Sequence, residues 1–497
     1  MAAELGSITQ FLENKTFLVT GATGYLAKIF VEKILRVQPN VKKMYLLLRA
    51  SDAKSAMQRL QQDVVEKELF KVLKEKHGEN LNSFISEKVR AVAGDISCED
   101  LGIKDSSLND ELLKEVDYVV NCAASTNFNE RYDVALGINT FGALNVINFA
   151  KKCHKVKMLV HVSTAYVCGE DGGLILEKPL SLGKSKNGSN KVDIEVEKKL
   201  VQEKLDQLLS ENASQKETAI AMKKLGLERA KLHGWPNTYV FSKAMSEMHL
   251  VASKDNLSLL IIRPSMIIST YKEPFPGWIE GAKTIDSVIA AYGKGRLECF
   301  VYNPETVYDL IPADMVVNNM IVAMVAREKK YSTEIVYQSG SSSRNQVTLS
   351  NIDDFMYRYF SANPLFEKDG KPIQYHNLTL INSMSAYRLY LAIQYLLPFK
   401  ALQLASRFSK KYEDMYMTLG LKIRLLTRFI EFYKPYTYLM GIFDDTNSEY
   451  LRKALRETCS NNEAEIFNFD PTTVNWDDFV VGSHIPGLVK YGIKLQY

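Results

Sequence analysis

Six short apolar runs, continuous rather than alternating, punctuate the first half of the chain: Thr16–Thr20, Lys43–Leu48, Lys88–Ala93, Tyr118–Asn121, Lys157–Ser163 and Ser258–Arg263. Continuous runs suit strands buried on both faces, as in a parallel sheet. Between them lie longer patterns with helical spacing, near Tyr25–Val37, Ala53–Lys76, Val134–Cys153 and Val240–Ser253. Strands alternating with helices predict an α/β fold, a Rossmann-like doubly wound parallel sheet. From Asn187 to Lys231 the rhythm breaks into a polar stretch with an amphipathic pattern (Val192, Val196, Leu200, Leu205, Leu208, Leu209). One or two inserted surface helices are expected there, either as a solvated excursion or as a lid over a substrate.

The character changes near Ser350. The reading divides the chain into a nucleotide-binding reductase domain over 1–350, carrying the insertion at 187–231, and a mostly helical domain over 351–497. Between Ile381 and Met440 nine basic residues (Arg388, Lys400, Arg407, Lys410, Lys411, Lys422, Arg424, Arg428 and Lys434) face three acidic ones, with aromatic and leucine residues interleaved. Such a region either lies on an anionic membrane surface or packs its apolar stripe inward.

At 497 residues, 46% hydrophobic and 24% charged, the chain has an ordinary globular composition. A net charge of +4 is too small to imply nucleic acid. The six cysteines show no CxxC spacing, so reduced thiols are expected rather than a disulfide framework or a metal site. The longest uncharged apolar run of the C-terminal third, Leu389 to Phe399, is eleven residues long. That is short of the ~20 that cross a bilayer, and no transmembrane helix is expected. The first fifteen residues read as neither a secretory signal nor a transit peptide.

The chemistry begins where the first strand meets Gly21-Ala-Thr-Gly-Tyr-Leu-Ala27. Backbone N–H groups of a strand–glycine turn–helix junction face a pyrophosphate, with the positive helix end behind them; Gly21 and Gly24 serve the turn, and Ala27 is small enough for helix–strand packing. The second strand ends in Arg49, where an NAD site commonly has an acid. Arginine there suits a 2′-phosphate and favours NADPH, unless it is only a solvated strand end. Asp95 and Ile96 close the third strand; the carboxylate reads as an adenine ligand or a turn former. Ala123, in the small run after the fourth strand, lets a cofactor approach the backbone.

Ser163 and Thr164 end the fifth strand with two hydroxyls. Thr164 is the first choice for binding a substrate carbonyl and Ser163 the second, helix capping being the alternative. Tyr239 and Lys243 stand one helical turn apart. An ammonium beside a phenol lowers the phenol pKa, so Tyr239 is expected to act as general acid or base, with Lys243 also reaching the nicotinamide ribose. Pro264, just past the sixth strand, can lie along the nicotinamide.

These residues match a known pattern. The chain resembles an extended or atypical short-chain dehydrogenase/reductase, and more closely the alcohol-forming fatty acyl-CoA reductases of the plant branch related to male-sterility proteins. The matching stretches are Gly21 to Lys28, Val41 to Arg49, Val160 to Val167, Gly234 to Lys243, Lys272 to Trp278, Ile311 to Met315 and Gly441 to Asp445, spread over nearly the whole length. The resemblance implies cofactor contacts at Gly21, Thr23, Gly24, Tyr25, Leu26 and Arg49, and a catalytic Tyr239–Lys243 pair with Thr164. It implies a four-electron, NADPH-dependent reduction of a long-chain fatty acyl-CoA to a primary alcohol through an aldehyde, without a covalent cysteine intermediate. The alternative is a two-electron reductase of a fatty aldehyde, a sterol or a flavonoid. The 75 residues from Thr164 to Tyr239 are too many for compact sugar-nucleotide relatives and fit this subfamily. Peripheral association with the cytosolic face of the endoplasmic reticulum is expected, a cytoplasmic location being the alternative.

Overall fold

The computed structural model describes residues 4–188, 191–367, 369–407 and 409–493. Residues 189 and 190 of the expected insertion, the last four residues, and the side chain of Arg428 lie outside the described residues. Seven parallel strands form one sheet: β1 (Thr16–Thr20), β2 (Lys43–Leu48), β3 (Val89–Ala93), β4 (Tyr118–Asn121), β5 (Met158–Val162), β6 (Ser258–Pro264) and β7 (Val336–Ser339). Their order is β3-β2-β1-β4-β5-β6-β7. The chain therefore reverses its winding between β1 and β4, the crevice where sheets of this kind bind nucleotides. Register brings the carboxyl ends level: Thr20 pairs with Asn121, Asn121 with His161, and Val162 with Ile262.

β7 is missing from the sequence reading because its residues, Val336-Tyr-Gln-Ser339, are half polar. Gln338 is buried nonetheless, its amide donating to the Ile175 and Asp444 carbonyls. The helix expected over Ala53–Lys76 is broken. Lys67 is extended (φ −64°, ψ 146°), and short helical pieces lie on either side. Val64, Val65, Leu69 and Phe70, on the two sides of the break, are all buried.

Helix α1 (Tyr25–Val37) starts at Gly24 and is buried nearly all round, Lys28, Glu32 and Lys33 included. Lys28 donates to the Glu280 carboxylate at 2.6 Å, and Lys33 to Glu273 and to the Ile466 carbonyl. The two buried lysines are thus paired with groups from far along the chain, whereas Glu32 pairs with Arg36 of the same helix.

The insertion folds as two helices, α2 (Ile194–Ser210) and α3 (Gln215–Leu232), capped by Asp193 and by a Ser214/Glu217 capping box. Glu197 of α2 is buried against Tyr132 (2.7 Å), Arg229 (2.5 Å) and His233 (3.2 Å). Burial alone would raise its carboxyl, but the hydrogen bonds from His233, Arg229 and Tyr132 hold it down at about 2. This anchor ties the hairpin beside α4 (Thr238–Ser253), which carries Tyr239 and Lys243.

The segment after Ser350 is largely helical, its longest element being α5 (Lys410–Thr437). It is woven into the rest: Gly441–Phe443 pairs with Gly173–Ile175, and Thr379–Ile381 with Cys299–Val301. A single hydrophobic cluster runs from Leu5 to Ile493. Among the described residues no helix is long and apolar enough to cross a membrane.

Candidate active site

At the carboxyl ends of β1, β4, β5 and β6 lies a cavity of about 630 Å³. Gly21 opens it with φ +67°, and a Cβ there would stand 2.7 Å from both Cα and N of Ala123. No side chain fits between these two strand ends, so bare backbone faces the opening. The Gly24 N–H donates to the Gly21 carbonyl (2.7 Å), and the first helical bond of α1 runs from Lys28 to Gly24 (3.1 Å). Tyr25, Leu26 and Ala27, whose N–H groups come ahead of that bond at the positive helix end, line the cavity. Ser163 also lines it, with a buried hydroxyl that has no partner among the described residues. A glycine cradle, a helix N-terminus and an orphaned hydroxyl are what a dinucleotide requires, and the site fits one.

Nine of the expected site residues share this cavity: Gly21, Gly24, Tyr25 and Leu26 on one side, with Ser163, Thr164, Tyr239, Lys243 and Pro264 on the other. Tyr25 differs from expectation in what its hydroxyl does. It donates to the Ile268 and Trp278 carbonyls (3.0 and 3.1 Å) while its ring stacks on Trp278, so the phenol braces the cradle. Thr23, Arg49, Asp95, Ile96 and Ala123 stand outside the cavity wall. Arg49 is exposed at the end of β2 and forms no ion pair among the described residues. Asp95 Oδ1 accepts from the Ser97 N–H and hydroxyl (2.9 and 2.8 Å), the turn-forming role, and Ile96 is buried.

Thr164 stands beside Tyr239 in the cavity wall. The expected lowering of the Tyr239 pKa by Lys243 is not what the structure holds. Burial pushes the phenol up to about 12, against the downward pull of the Thr164 hydroxyl. The Lys243 ammonium is turned away, donating to the Val162 carbonyl (2.7 Å) and to His161 Nε2 (3.0 Å). His161 is buried, and its basicity is driven well below the usual range by that burial and by the Lys243 charge. Behind Lys243, Glu247 is fully buried and paired with Arg263 (2.5 Å). Burial lowers the Lys243 pKa to about 8, with Glu247 and Cys122 pulling it back up. The lysine thus loses its charge in an accessible range while the tyrosine keeps its proton. Turnover should fall as pH rises through about 8 and be flat below; an alkaline limb appearing only near the ordinary lysine value would contradict this geometry.

Sequence reasoning missed the opposite wall. Phe128 stacks on Tyr239 (5.6 Å between centroids), on Phe432 (5.1 Å) and against Tyr436 (5.3 Å). Tyr436 accepts from the Asn237 amide (2.8 Å), and Tyr433 shares a 2.5 Å hydrogen bond with Ser287. Phe432, Tyr433 and Tyr436 come from the last turns of α5, so the C-terminal third closes the cavity over the catalytic pair. The signal was present: Phe429, Phe432, Tyr433 and Tyr436 follow i, i+3, i+4, i+7 spacing. Among the described residues none of the 187–231 insertion lines the cavity, and the hairpin packs against α4 as a brace.

A switch-point glycine cradle facing a Tyr–Lys pair defines a Rossmann-type oxidoreductase that uses a nicotinamide nucleotide. Comparison with known proteins narrows the class. Residues 19–320 match an NAD-binding domain described as Male sterility protein, and residues 394–495 match the Sterile domain, described in the same words. The alcohol-forming fatty acyl-CoA reductase of Simmondsia chinensis is 53% identical over 98% of this chain and 99% of its own. Fatty acyl-CoA reductase 1 of Arabidopsis thaliana is 51% identical over the same shares. The chain belongs to this fatty acyl-CoA reductase family. Among solved structures, a thiolation-reductase di-domain from an archaeal non-ribosomal peptide synthetase superposes with a TM-score of 0.56 at 15% identity, covering 98% of this chain and 79% of that one, a likeness of fold.

Proposed function

We propose that the protein reduces long-chain fatty acyl-CoA to the primary alcohol, with NADPH as reductant. The observation that carries this reading is the shared cavity, in which Thr164 and Tyr239 hydroxyls face apolar and aromatic side chains such as Met266, Ile285, Val288 and Phe432. A thioester carbonyl held by the two hydroxyls leaves its hydrocarbon chain against that wall. A bound nicotinamide nucleotide would supply hydride to the carbonyl carbon, once to the thioester, whose C–S bond then breaks to release CoA thiol and leave an aldehyde, and once more, after nucleotide exchange, to that aldehyde. In both additions Thr164 and Tyr239 would stabilise the negative charge that grows on the carbonyl oxygen, and in the second Tyr239 would deliver the proton that completes the alcohol. The aromatic cover excludes water from the reacting carbonyl. Lys243 lies within the same wall, with its ammonium held by the Val162 carbonyl and His161 Nε2.

NADPH rather than NADH is supported by Arg49, whose free guanidinium at the end of β2 suits a 2′-phosphate. R49D should reverse the cofactor preference measured as a ratio of kcat/KM values; an unchanged ratio would remove Arg49 from the argument. We further propose peripheral association with the cytosolic face of the endoplasmic reticulum, supported by the basic character of residues 381–440. The direct test of function is gas chromatography of products from palmitoyl-CoA or longer thioesters. Primary alcohol is expected, and aldehyde as the sole product would favour the two-electron alternative.

A further inference from the structure

The helical run from Met384 to Ala405 has two unlike faces. Tyr387, Leu391 and Tyr395 are buried, and the Tyr395 hydroxyl donates to Glu298 (2.8 Å), which also accepts from Lys422 of α5 (2.7 Å). The opposite face carries Leu389, Ile393, Leu397 and Leu404, which are 62, 58, 61 and 62% exposed. Spacing of four, four and seven residues sets these side chains in one stripe along the helix. The buried tyrosines and the Glu298 contacts fix the helix rotation, so the stripe is held outward.

Charge decides what covers it. From Met384 to Lys411 there is no acidic residue and five basic ones, Arg388, Lys400, Arg407, Lys410 and Lys411. None of the five forms an ion pair among the described residues. A two-fold contact with a second copy would set these cations against one another. An apolar row flanked by unpaired cations complements a bilayer with anionic headgroups, the leucines entering the acyl boundary and Lys400 reaching back to the phosphates. We propose that this helical run is the surface through which the protein lies on an anionic membrane. The proposal deepens the peripheral-membrane reading above and rests on it. Phe399 stacks on Tyr416 of α5 (4.5 Å), and the far end of α5 is the cavity wall, so the membrane face and the active site share one helix.

Flotation of the full-length protein with vesicles tests this. Vesicles of phosphatidylcholine with phosphatidylserine should carry the wild-type protein, and phosphatidylcholine alone should carry much less. L389S/I393S/L397S should weaken binding by at least about tenfold, since each leucine or isoleucine withdrawn from the acyl boundary removes more than a kilocalorie of transfer energy. K400E/R407E/K410E leaves the apolar row intact and should abolish the preference for phosphatidylserine. If both variants float as the wild type does, the proposal is wrong. A change of oligomeric state in the leucine variant, with flotation unaltered, also overturns it in favour of a second copy. Wild-type protein that floats but yields no alcohol would sink the catalytic reading and leave this one standing.

Discussion

Replacing Tyr239 by phenylalanine should lower kcat for alcohol formation by about a thousandfold, the scale of a positioned general acid, while leaving NADPH affinity nearly unchanged. The substitution deletes one oxygen from a ring whose position is set by other contacts. Phe128 still stacks on it, and the cavity keeps its shape. What disappears is the proton donor and one of the two hydroxyls, with that of Thr164, that line the cavity for the carbonyl oxygen. Because burial pushes the phenol up to about 12, it is protonated across the working range. NADPH binding measured by fluorescence, together with an unaltered thermal transition, separates loss of chemistry from loss of fold. Wild-type turnover in the variant would remove Tyr239 from the mechanism.

The second large effect is expected at Gly21. In G21A, alanine would hold φ +67°, where a side chain is strained, with its Cβ 2.7 Å from Ala123 backbone atoms. Backbone cannot yield as a side-chain rotamer does, so the ends of β1 and β4 must part, and the Ala123 N–H bond to the Thr20 hydroxyl (3.3 Å) with them. NADPH affinity should fall at least about a hundredfold, since a few kilocalories are lost where the cradle must close. Gly24 provides the control. Its φ of −81° suits any residue, and an added Cβ would meet only the Gly21 carbonyl, at 2.9 Å. G24A should therefore bind NADPH more weakly than wild type but better than G21A. Isothermal titration checks the order, and equal losses would mean that the clash at Ala123 does not govern the cradle.

Much of the nucleotide-binding half was legible because its strands are buried on both faces and so appear as uninterrupted apolar runs. β1, β2 and β4 have the bounds that their residues predicted, as has α1. β7 escaped because its polar residues find distant partners, the Gln338 amide donating to the Ile175 and Asp444 carbonyls and the Ser339 hydroxyl accepting from the Asn319 amide, which a local pattern does not reveal. The three-residue strands that sew the C-terminal third onto the sheet domain are too short to carry a period. The aromatic stripe of α5 was read as amphipathic, but periodicity says that a face is apolar and not what it meets. Here the end near Tyr436 meets the active site, and the preceding helical run turns its leucines to solvent. The spacing of Tyr239 and Lys243 put them one helical turn apart on one helix face, and both line the cavity. The orientation of the ammonium toward His161 follows from β5 packing against α4, a contact between residues 82 positions apart.

If one cavity reduces an acyl thioester through two successive hydride additions, the reaction has a fixed stoichiometry. NADPH oxidised, free CoA thiol released and alcohol formed can be measured in a single reaction run to completion with limiting acyl-CoA. Two NADPH consumed and one thiol released are expected for each alcohol. One NADPH per thiol, with aldehyde accumulating, would contradict this.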